Sequence, residues 1–126
     1  MDSRQQIYNA YFKAKDRFDG EGNTFGYEPD IVQGFVQTGL MLASYHELGS
    51  EHESVLLNEL FLRQVYFKLL DAIQSPYRSH SFRRICLDGV HSPLYALQRH
   101  YMQVPDGDRK FAQLQLMLQR LQAPLD

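Results

Sequence analysis

A chain of 126 residues with 44% apolar side chains has the size of one domain and the material for one core, so a single domain over residues 1–126 is expected. With 22% charged residues, 13% aromatics, eight glycines and five prolines, it is neither a disordered tail, a collagen nor a low-complexity linker. The net charge of −2 conceals a segregation: residues 18–62 hold eight acids and no Lys or Arg, while the flanking segments 1–17 and 63–126 are each net basic. Such a layout favours association with a partner or a second copy over uniform polyanion binding.

The first helix is expected from about Ser3 to Phe18, with Ile7, Tyr8, Tyr11, Phe12 and Phe18 on one broad face. After it, Asp19, Glu21, Asn23 and Asp30 repeat the oxygen spacing of an EF-hand calcium loop at positions 1, 3, 5 and 12. Thr24 stands where that loop needs glycine, Asp30 is shorter than the usual closing glutamate, and Pro29 stiffens the last turn. A Gly-rich connector pinned to the core by Phe25 and Tyr27 therefore fits 19–30 better, with calcium binding as an alternative.

A second helix is expected from Pro29 to Leu48, ending at Gly49, with Gly34 and Gly39 marking a close helix crossing. At the corner that follows, His46, Glu47, Glu51, His52 and Glu53 could be read as metal ligands, but their spacing matches no standard motif. Glu51 and Glu53 are better explained as first-turn acids of a third helix that complement its dipole. That third helix, near 51–74, is the most hydrophobic and is expected at the centre.

Ser75-Pro76 reads as the N-cap and first residue of a fourth helix reaching Leu87, and Ser92-Pro93 as the same device for a fifth reaching Met102. After Val104-Pro105 a sixth helix is expected from Asp106 to Gln122, with Phe111, Leu114, Met117, Leu118 and Leu121 as an apolar stripe flanked by glutamines. No strand-like alternation occurs, so the fold class is all-α, a single-domain bundle of about five to six helices. A homodimer through the third helix or the stripe of the sixth is expected.

Cys86 is the sole cysteine and reads as a buried small hydrophobe, which excludes an internal disulfide. Met1–Gln6 lacks the pattern of a secretory signal, and no apolar run approaches the ~18 residues of a membrane span, so a cytoplasmic protein is expected. No nucleophile triad, P-loop, dinucleotide fingerprint or paired catalytic carboxylates are present, and neither catalysis, a cofactor nor a metal is expected.

The leading expectation is a non-enzymatic interaction module, a regulator, adaptor or chaperone-like protein that binds another protein. Arg78, Arg83 and Arg84 with Leu114, Leu118 and Leu121 are its candidate contacts, because arginines and apolar anchors carry interface energy. The basic cluster at 78–84 also admits DNA binding as an alternative, although the pI near 6.2 opposes it.

Overall fold

The computed structural model describes residues 2–20 and 28–122. Its elements are α1 (Ser3–Asp19), α2 (Glu28–Tyr45), α3 (Val55–Gln74), α4 (His80–Gly89), α5 (His91–Tyr101) and α6 (Gly107–Gln122), with no strand among the described residues. The expected all-α bundle is the fold observed. No helix among these residues is long and apolar enough to cross a membrane.

The third helix is central, as its composition demands. It packs on α2, α4 and α5, while α1 lies on α2 and α6 on α5. Phe61, Leu62, Val65, Tyr66, Leu69 and Leu70 give α3 its buried faces. The α1–α2 contact is aromatic: the Phe35 ring stacks on Phe18 at 4.5 Å and on Tyr11 at 5.9 Å between centroids, and all three side chains are buried. Gly39 sets how closely α2 approaches α3, since a methyl there would lie 2.3 Å from Val65 Cγ2. Gly34 has no such role, because a methyl on it meets nothing within 4 Å among the described residues.

Several helix ends differ from the sequence reading. The second helix stops at Tyr45 rather than Leu48, where His46 and Glu47 turn back to the carbonyls of Ala43 and Ser44. The third begins at Val55, capped by Ser54 Oγ, which accepts from the Leu57 amide at 3.1 Å. Glu51 and Glu53 therefore lie outside its first turn, and Glu53 instead accepts the Gly49 amide at 2.9 Å. Ser75-Pro76 opens no helix. Ser75 closes α3, and Ser79 caps α4 by accepting from the Phe82 amide at 3.1 Å. Only Val90, itself in the helical region, separates α4 from α5, so Pro93 stands third in α5, still within the first turn that tolerates it.

Glu28 is a buried acid that the charge pattern alone gave no reason to single out. It starts α2 and accepts hydroxyl hydrogen bonds from Ser81 at 2.8 Å and Ser79 at 3.4 Å. One carboxylate thus faces the positive ends of two helices and ties their starts together.

Candidate functional site

The three arginines of the basic cluster do not form one patch. Arg78 donates to the carbonyls of Phe18 and Gly20, capping the end of α1, and its guanidinium lies 4.5 Å from the Phe82 ring and 5.5 Å from that of Phe18. Arg83 Nε donates to the Ile73 carbonyl at 2.8 Å, near the end of α3. Arg84 alone is exposed and without such a bond. The cluster is thus largely fold-building, with helix-end carbonyls as the partners of Arg78 and Arg83. Replacing Arg78 with Ala should cost about 1.5–3 kcal/mol in urea denaturation, the range for hydrogen bonds to a charged group. A loss below 0.5 kcal/mol, the usual scatter for surface changes, would show that these contacts add nothing.

The leucines of the sixth helix need the same correction. Leu114 and Leu118 are buried within the chain, where the Tyr66 hydroxyl donates to the Leu114 carbonyl at 2.6 Å, and Leu121 is half-buried against the core. Burial pushes the Tyr66 phenol up to about 12, so it remains a donor at any physiological pH. The large apolar side chains that α6 leaves in solvent are Leu116 and Met117.

Neither metal reading is supported by the described contacts. His46 is buried with both ring nitrogens engaged: Nδ1 faces the His52 carbonyl and Nε2 the Tyr8 hydroxyl, each at 2.8 Å. A carbonyl only accepts, so Nδ1 carries the proton and Nε2 receives the Tyr8 hydrogen. In the 19–30 segment, Glu21, Asn23, Thr24, Phe25 and Tyr27 lie outside the described residues. Asp30 sits in the first turn of α2, and Asp19 binds Lys68 at 2.9 Å and Lys15 at 3.2 Å. Burial pushes the Asp19 carboxyl up, but the two lysines together outweigh it and hold it below its ordinary value. No group of three metal-ligating side chains occurs among the described residues. Cys86 is fully buried, and that burial, against a smaller opposing pull from Arg78, pushes its thiol up to about 12.

Two other surfaces stand out. The first is the outward face at the start of α3 beside α1. Leu56 is 74% exposed and Leu60 49%, one helical turn apart, and Phe12 on α1 is 47% exposed. The two helices are joined beneath them by the Tyr11–Phe61 and Tyr8–Phe61 rings and by a hydrogen bond from the Tyr11 hydroxyl to Gln64. The apolar circumference of the third helix foretold an uncovered face, but not which one.

The second is a cleft of about 620 Å³ between α2 and α5, floored by α3 residues Asn58 and Leu62. Beneath it lies a polar network inside the bundle. Asn58 Nδ2 donates to the Ala43 carbonyl at 2.7 Å, which turns its Oδ1 toward His100 Nδ1, also 2.7 Å away. The amide oxygen requires the proton on Nδ1. In the neutral ring Nε2 is then a bare acceptor, buried without a hydrogen-bond partner among the described residues and 3.9 Å from Glu59 Oε1. The other Glu59 oxygen accepts from the Tyr101 hydroxyl at 2.6 Å, and Arg63 donates to that hydroxyl at 3.1 Å. Asn58-Glu59, a polar pair inside the most hydrophobic helix, was the sequence signal for this network.

Burial pushes the His100 imidazole below its ordinary value, against an upward pull from Glu59 and with a further push down from Lys110. The unfolded chain therefore binds this proton more readily than the native one. Stability contributed by neutral His100 is complete above the ordinary histidine pKa of about 6.5 and falls as pH drops through it. Urea denaturation between pH 8 and pH 5 should show that fall, and His100→Gln should flatten it. An unchanged slope in the variant would contradict the burial of neutral His100.

Comparison of the chain with protein-family models, curated proteins and solved structures finds no match.

Proposed function

We propose that the protein is a non-catalytic helical interaction module, acting in the cytoplasm, that binds a partner protein through the apolar face shared by α1 and α3. The observation that carries this reading is the exposure of Leu56, Leu60 and Phe12 on two helices joined by the Tyr8, Tyr11 and Phe61 rings. Clustered apolar side chains in water favour association, because covering them releases about 25 cal/mol per Å². A second copy of the chain is the first partner to test, since an apolar face on the central helix suits a two-fold contact.

Leu56→Asp with Leu60→Asp is the discriminating variant. Both side chains are already largely in water, so circular dichroism and the melting temperature should change little. Sedimentation equilibrium should show the native chain as a dimer at micromolar concentration and the variant as a monomer. A native monomer would remove the second copy as partner, and an equally dimeric variant would remove this face as the contact. The DNA-binding alternative has less support, because Arg78 and Arg83 are engaged at helix ends. It requires affinity that falls steeply with salt.

A further inference from the structure

The α2–α5 cleft is separate from the apolar face, and its lining is chemically mixed. Leu40, Ala43 and Leu48 form one side, Tyr95 and Ala96 the other, with Leu62 below. Its volume of about 620 Å³ falls within the range of small-ligand pockets, roughly 300–1,000 Å³. Leu48 and Tyr95 stand exposed at its edges, so an occupant would gain apolar contact on both sides.

Charge narrows the class of occupant. Glu47 and Arg99 both line the cleft, yet they form no ion pair with each other, and neither side chain has a hydrogen-bond or ion-pair partner among the described residues. An anionic ligand would leave Glu47 uncompensated, and a cationic one would leave Arg99 uncompensated. A ligand bearing both charges answers both groups, with a carboxylate against the guanidinium and an ammonium against the glutamate. At the polar floor, Asn58 and His100 bond to each other, and Glu59 does not line the cleft.

We propose that this cleft binds a small apolar molecule with a free α-ammonium and a free α-carboxylate, the chemistry shared by a short apolar peptide and an apolar amino acid. Arg99 takes the carboxylate, Glu47 the ammonium, and Leu40, Leu62 and Tyr95 receive the apolar side chains. The volume favours the peptide.

Isothermal titration of the full chain with the dipeptide Leu-Phe, its N-acetyl and C-amide forms, and free leucine tests the assignment. Leu-Phe should bind at one site, and each blocked form should bind about tenfold more weakly, the loss of one charge-assisted contact. Arg99→Gln should abolish the difference between the free acid and the amide. Glu47→Gln should abolish that between the free amine and its acetyl form. Ala96→Trp should fill the cleft and remove binding altogether. Tighter binding of Leu-Phe than of leucine assigns the site to peptides, and the reverse assigns it to amino acids. No binding of Leu-Phe or leucine at millimolar concentration overturns the proposal, as does equal binding of free and blocked forms. Because Glu47 and Arg99 are solvent-facing and outside the core, their variants should melt with the native chain and keep the test interpretable if Ala96→Trp misfolds.

Discussion

Gly107→Ala should destabilise the protein by about 3 kcal/mol or more, at the upper end of overpacking effects. Gly107 opens α6 directly after the α5–α6 turn, and a methyl on it would lie 1.7 Å from the Tyr101 carbonyl oxygen and 2.6 Å from its carbon. Backbone cannot move aside as a side-chain tip can. The turn is already constrained, since Asp106 has φ 61° and Gly107 donates to the Val104 carbonyl at 3.2 Å. To admit the methyl, the end of α5 must shift, and with it Tyr101 and its bonds to Glu59 and Arg63. For a domain of this size the melting temperature should fall by roughly 12 °C. A variant melting with the native chain would refute the close approach of α6 to α5.

Phe35→Ala should be as damaging, costing about 3–5 kcal/mol. Its ring is fully buried between Phe18 and Tyr11, and Phe18 in turn meets Phe82 at 5.4 Å. Removing it takes away the centre of an aromatic row linking α1, α2 and α4, and leaves a cavity that three rigid rings cannot easily fill. Against a typical total stability of 5–15 kcal/mol, this is a large fraction. Urea denaturation measures the loss, and near-ultraviolet circular dichroism should weaken with it. Phe35→Leu should recover much of the stability by filling part of the space. An alanine cost below 1 kcal/mol would contradict the stacked core.

The helices were legible because their apolar periodicity is strong, and the central place of the third followed from its composition. Boundaries were less so. Ser75 and Ser79 are equally good caps in local sequence, and the choice between them involves a distant group: Ser79 also bonds to Glu28, whereas Ser75 accepts the Tyr77 amide in a local turn. The bonds of the basic cluster within the chain were hidden for a related reason. Partners of Arg78 stand 58 and 60 residues away, and they are carbonyls, which charge patterns cannot reveal. Leu114 and Leu118 formed a stripe that periodicity alone could not assign to the core or to a partner. His100 was visible only as one of five histidines, while its pairing with Asn58 needed the fold to bring α3 against α5.

The most direct test of the interaction reading is affinity capture from a lysate of the source organism, with the native chain and the Leu56→Asp, Leu60→Asp variant run side by side, with and without nuclease treatment. Mass spectrometry with stoichiometry should find one protein, this chain or another, retained by the native bait and lost from the variant. Arg84→Glu should retain it. Equal recovery by both baits, or material that disappears with nuclease, would contradict the placement of the partner on the α1/α3 face.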